Sequence, residues 1–82
     1  MINIIGYDLL DRKQVDLAIE IFKFNVEKFP NSYIVYESLG DAYMKNGDFE
    51  LAMENYNKSL EINPHNNDIT KKLSEIDKKK SP

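Results

Sequence analysis

Glu37 and Asp41 are the pair of side chains best placed to do chemistry. They stand four residues apart in Tyr-Glu-Ser-Leu-Gly-Asp-Ala-Tyr, a spacing that puts both on one face of a helix. Two such carboxylates can act as acid and base when a closed cleft holds them. On an open helical surface they form a solvated acidic face instead. His65 is the single histidine and lies in Pro64-His65-Asn66-Asn67. A metal ion needs several convergent ligands and a general base needs a neighbouring nucleophile. Neither accompanies His65, which reads as a solvated loop residue. The chain has no cysteine, so thiol chemistry and disulfide staples are excluded. No Gly-x-Ser-x-Gly elbow and no Ser-x-x-Lys appears in it, so the catalytic serine arrangements are absent too. These residues imply a non-enzyme with no cofactor and no metal.

The segments that must carry these residues are helical. The chain is 82 residues long, enough for one small domain. Residues 2–12 are apolar on several faces, with Ile2, Ile4, Ile5, Tyr7, Leu9 and Leu10, and predict a helix buried on more than one side. Residues 15–28 place Val15, Ala18, Ile19, Phe22 and Val26, with Phe29 just beyond, at the spacing of an amphipathic helix. Pro30 ends it. A third helix spans 33–46, with Val35, Tyr36, Leu39, Ala42 and Tyr43 inward, and Gly47 at its C-terminal turn. Asp48 is placed to cap a fourth helix over 49–62, where Phe49, Ala52, Met53, Tyr56 and Leu60 face in. Glu54 and Lys58 are spaced to pair on its outside. Asn63-Pro64 closes it, Asn66 or Asn67 caps the next, and 68–79 forms a last helix with a narrow stripe of Ile69, Leu73 and Ile76. Short loops fold such helices back as antiparallel neighbours. The expected fold is all-α, with about five helices and no strand.

The sequence matches itself at an offset of 34: Gly6 falls on Gly40, Ala18 on Ala52, Phe22 on Tyr56 and Pro30 on Pro64. A fixed period of that size means one helix–turn–helix unit used more than once. The second unit reads Tyr36-x2-Leu39-Gly40-x2-Tyr43, Ala52-x3-Tyr56, Pro64. It resembles the tetratricopeptide repeat, whose pattern is Trp-x2-Leu-Gly-x2-Tyr, Ala-x3-Phe, Pro. The first unit keeps Gly6, Ala18, Phe22 and Pro30 but replaces both aromatics of its first helix. Ser74 stands where Gly6 and Gly40 stood. The resemblance implies a helical solenoid: a first repeat over 1–31, a second over 32–66 and a capping helix over 67–80. Asn-x2-Gly-Tyr-x-Leu-Leu and Tyr-Glu-Ser-Leu-Gly-Asp-Ala-Tyr are also similar to repeat tails that follow esterase-like or β-lactamase-like serine hydrolase domains in some bacteria. That likeness implies a non-catalytic tail of a longer enzyme.

In the family, ligand peptides lie along the concave face formed by the first helix of each unit. The resemblance places Asn3, Tyr7, Leu10, Ile34, Glu37, Ser38, Asp41, Met44, Lys45, Asp68, Lys71, Lys72 and Glu75 there. The middle of that face is acidic and its last helix basic, which suits a peptide whose basic residues reach Glu37 and Asp41. Asn3, Tyr7 and Ser38 replace the Lys and Asn residues with which some family members clamp a peptide carboxylate. The surplus apolar surface of the first helix, Ile2, Ile4, Ile5, Leu9 and Leu10, offers a face for self-association or for an upstream domain. A homodimer through that helix is expected.

Charge and hydropathy narrow the partners. The formal net charge is −3. Five lysines against Asp68, Glu75 and Asp77 leave residues 67–82 at +2, so residues 1–66 hold −5. Nucleic acid, which asks for a dense basic face, is not the expected partner. No apolar run approaches the roughly 20 residues of a membrane span. The first residues lack the basic start of a signal peptide, so a chain complete as given would be cytoplasmic. The expected partner is a protein or peptide.

Overall fold

The computed structural model describes residues 3–80 of the chain, without the side chains of Asn3 and Lys80. The expectations placed on Ile2 and on the Asn3 side chain therefore lie outside the described residues. Five helices follow one another: α1 (Asn3–Asp11), α2 (Val15–Lys28), α3 (Tyr33–Asn46), α4 (Phe49–Ile62) and α5 (Asn67–Lys80). No strand occurs among the described residues. Each helix packs on the next, and α1 also touches α3. The helices alternate between two layers, α1, α3 and α5 in one and α2 and α4 in the other. The Cα trace measures 33 × 27 × 16 Å.

Loop chemistry sets the bounds. The α3–α4 turn is closed by Gly47 in the left-handed region at φ 81°. Its amide donates to the Met44 carbonyl at 3.1 Å, and the Asp48 amide reaches back to Tyr43 at 2.9 Å, a Schellman-type finish. The α1–α2 turn repeats this with a different residue. Lys13 takes the left-handed position at φ 63°, its amide donating to Leu10 at 3.0 Å and that of Gln14 to Leu9 at 2.8 Å. A lysine there carries a Cβ clash that glycine avoids, costing roughly 1 kcal/mol. Lys13→Gly is therefore expected to raise stability by about 0.5–1 kcal/mol, read as a higher urea midpoint at constant slope. A lower midpoint would mean that the Lys13 side chain contributes more than its backbone costs.

Asp48 sits at the N-cap of α4 but makes no side-chain bond to the helix. Its carboxylate accepts from Asn46 Nδ2 at 2.7 Å instead. Asn66 does cap α5, its Oδ1 accepting from the Asp68 amide at 3.2 Å. On α4, Lys58 pairs with Glu61 at 3.5 Å rather than with Glu54.

The core joins both helix pairs. Leu10, Ala18, Ile19, Phe22, Leu39, Ala42, Tyr43, Ala52, Tyr56, Ile69 and Ile76 form one buried cluster. Two glycines make the close approach inside each pair. A Cβ on Gly6 would run into the Phe22 ring, and one on Gly40 would stand 2.6 Å from Tyr56 Cδ1. The same contact thus recurs at an offset of 34. Leu10 corrects an expectation. It stands four residues after Gly6, on the side of α1 that faces α2, and is only 7% exposed. Leu9 is half-buried against the core. The free apolar face of α1 therefore shrinks to Ile4 and Ile5, which are 86% and 52% exposed. Phe29, expected to close the stripe of α2, lies at its C-cap and is exposed.

Candidate functional site

Most of the residues expected on the concave face are close together, but they are engaged with one another. Asp41 on α3 is the hub. Tyr7 Oη from α1 donates to Asp41 Oδ2 at 2.7 Å and accepts from Ser38 Oγ at 3.2 Å. Tyr56 Oη from α4 donates to Asp41 Oδ1 at 2.6 Å. Lys72 Nζ from α5 reaches the same oxygen at 2.9 Å and Glu37 Oε2 at 3.0 Å. Asn66 Nδ2 closes the set on Glu37 Oε1 at 3.0 Å. Glu37 and Asp41 do share a helix face. They are the acceptors of a bridge that crosses from α1 over α3 to α5.

Local structure explains why these groups meet. Tyr7 and Asp41 are separated by 34 residues, so they occupy the same position on successive first helices. Side chains from such helices lean over the same concave surface. Lys72 is long enough to bury its stem while its ammonium remains partly in water. It also lies over the Tyr56 ring, 5.8 Å from the centroid, within reach of a cation–π contact.

The network resists loss of its protons. Burial raises the Tyr7 hydroxyl above the ordinary tyrosine range. The Ser38 hydrogen bond opposes this, and Asp41 adds to it. Burial raises Tyr56 further, reinforced by its bond to the Asp41 carboxylate. For Lys72 burial pulls the other way, but the bonds to Asp41 and Glu37 outweigh it, and the ammonium holds its proton above the ordinary lysine value. At neutral pH the site is therefore a set of protonated donors against two carboxylates. A carboxylate that already accepts from Lys72 and two tyrosines is a poor free base.

Around this bridge lie two openings. One, of about 290 Å³, is bounded by Tyr7, Leu10 and Asp11 of α1, Asp41, Met44 and Lys45 of α3, Tyr56 of α4, and Lys72 and Glu75 of α5. The other, of about 530 Å³ and more open, lies toward the α4–α5 loop among Tyr33, Ile34, Glu37, Asn63, His65, Asn66, Asn67 and Asp68. The expected groove residues thus divide. Tyr7, Leu10, Asp41, Met44, Lys45, Lys72 and Glu75 line the first opening, Ile34, Glu37 and Asp68 the second. Ser38 is buried under the bridge at 1% exposure, and Lys71 is exposed in neither. His65 is exposed, its amide 3.4 Å from Asn63 Oδ1. Among the described residues no group of three or more His, Asp or Glu could hold a metal ion. No described helix is long and apolar enough to cross a membrane.

Sequence reasoning missed two members of the bridge. Tyr56 was assigned to packing alone, although its hydroxyl is what distinguishes it from Phe22 at the same register. Asn66 was read only as a cap, yet its amide nitrogen also holds Glu37.

No curated protein matches the chain. Residues 33–66 match the family model of the tetratricopeptide repeat, and the five described helices form an all-α arrangement consistent with a helical repeat of that type.

Proposed function

We propose that this chain is a non-catalytic module that binds a peptide or partner domain in the groove bounded by α1, α3 and α5. Tetratricopeptide repeats generally mediate protein–protein interactions. The observation that carries the reading here is the opening of about 290 Å³ that reaches across all three first-layer helices. Concave sites with an apolar floor and a few polar groups are where ligands bind. Glu37 and Asp41 serve the groove as structure, since both are engaged by Lys72.

The exposed Ile4 and Ile5 favour a second reading. Their counterparts at an offset of 34, Ser38 and Leu39, are 1% and 6% exposed in the helix that packs against α2. Ile4 and Ile5 thus present the face that a preceding helix would cover. A second copy of the chain would cover it, as would an upstream domain such as the hydrolase that the tail-like motifs suggest.

One experiment separates the readings. Random peptides of about a dozen residues are selected on the chain, and amide chemical shifts are mapped with and without a selected peptide. Groove binding predicts shifts around Leu10, Met44 and Lys45. Shifts around Ile4 and Ile5 that grow with protein concentration in the absence of peptide would favour self-association. If selected peptides perturb neither face, the groove reading fails.

A further inference from the structure

The groove has a definite chemistry once the bridge is accounted for. Its interior surface is apolar, contributed by Leu10, Met44 and the ring of Tyr7. Glu37, Asp41 and Lys72 are paired within the bridge, which leaves it one net negative charge at the centre of the groove. The charges left at the rim are Asp11 on α1, Lys45 on α3 and Glu75 on α5. All three are exposed. Carboxylates therefore stand on the two outer walls, with one cation between them.

From this arrangement we propose that the groove takes a peptide with a central apolar side chain flanked on both sides by a basic residue. The inference rests on the groove reading above and specifies its partner. The apolar side chain enters over Leu10 and Met44. The basic residues reach Asp11 at one end and Glu75 at the other. Lys45 disfavours a third basic residue at the centre. Neighbouring helix axes lie roughly 8–10 Å apart, so α1 to α5 spans roughly 16–20 Å. An extended chain covers that in about five or six residues. The spacing calls for a basic residue about three positions to either side of the apolar one.

Fluorescence polarisation with three labelled peptides tests this. The first is Lys-Ser-Ser-Leu-Ser-Ser-Lys, the second replaces its Leu by Ser, and the third replaces both Lys by Glu. The first is expected to bind. The second and third are expected to bind about tenfold more weakly or worse, the charge effect diminishing with added salt. Asp11→Asn combined with Glu75→Gln is expected to remove the preference for Lys over Glu. Both positions are exposed, so this variant leaves the core intact. Met44→Arg, which fills the groove, is expected to abolish binding. Two results overturn the proposal while leaving groove binding in place. One is equal or tighter binding of the Glu peptide that Met44→Arg still blocks. The other is a Lys preference that survives the double substitution. If no peptide binds at about 1 mM, or if Met44→Arg leaves binding unchanged, the groove reading and the proposal both fall.

Discussion

Replacing Tyr56 with Ala is expected to cost about 3–5 kcal/mol, the range found when a large buried aromatic is removed. Three features of the site put the effect at the upper end. The Tyr56 side chain is 1% exposed. Its ring lies against Gly40, whose missing Cβ exists to admit it. Its hydroxyl donates to Asp41, so the truncation also removes a hydrogen bond from the bridge. A domain of this length has roughly 4–12 kcal/mol to lose. Two helix pairs are fewer than the three repeats usually needed for stability, which favours the lower part of that range. Urea denaturation followed by circular dichroism should show the isolated variant largely or wholly unfolded. Tyr56→Phe keeps the ring and is expected to cost only about 1 kcal/mol. A loss below about 1.5 kcal/mol for the Ala variant would show that the ring is not the element joining α3 to α4.

Asp41→Ala is the second large effect. It removes the acceptor shared by Tyr7, Tyr56 and Lys72. Lys72 keeps Glu37 and part of its hydration, so the loss is smaller than for a fully buried ion pair. About 2–3 kcal/mol is expected, lowering Tm by roughly 10–20 °C for a domain of this size. By contrast Asp8, which pairs with Arg12 at 2.9 Å on an exposed surface, contributes little. The bridge also carries a pH signature. Tyr7, Tyr56 and Lys72 all hold their protons more tightly in the folded chain. Their stabilisation is fully present below their unfolded values of about 10. It is lost as pH rises through the higher folded values. Stability of the parent chain should therefore fall from about pH 10 upward. Asp41→Ala removes one cause of every upward shift but leaves burial, so its alkaline decline should be shallower. Parallel alkaline declines in the two proteins would count against Asp41 as the hub.

Most of the fold was legible in the sequence, for local reasons. Pro30 and Asn63-Pro64 end helices by restricting the backbone and Gly47 by admitting the left-handed turn, and α2, α3 and α4 run over the expected residues. Among the described residues α1 stops one residue short of the expected end and α5 extends one residue beyond its expected bounds at either end, where assignments of helix ends differ most. Leu10 was misplaced because α1 is apolar all round, so its pattern does not say which side meets α2. That residues of α1, α3 and α5 at equivalent positions come near one another was legible, because the 34-residue offset stacks them. Their engagement with one another was not. Whether Lys72 faces a ligand or reaches over Glu37 and Asp41 depends on side-chain direction across two helices, which no spacing within one helix encodes. Tyr56 and Asn66 were overlooked for the same reason. Each already had a sufficient local role, and the second role appears only in three dimensions.

The two helix pairs solve one steric problem in two chemical ways. In the second pair the relevant positions hold Asp41 and Tyr56, joined by a hydrogen bond. In the first, at an offset of 34, they hold Tyr7 and Phe22, whose rings stack at a tilt of 60° with centroids 5.2 Å apart. A carboxylate–phenol pair and an aromatic pair thus occupy equivalent niches beneath the same glycine contact. Such niches resist single changes. Moving only one partner would strand a carboxylate against a phenyl ring or leave a phenol without its acceptor, and even a joint exchange in the second pair would take from Tyr7 and Lys72 the carboxylate they share. The two units thus differ in composition while keeping the same glycine contact, and the internal symmetry of the chain is one of volumes more than of residues.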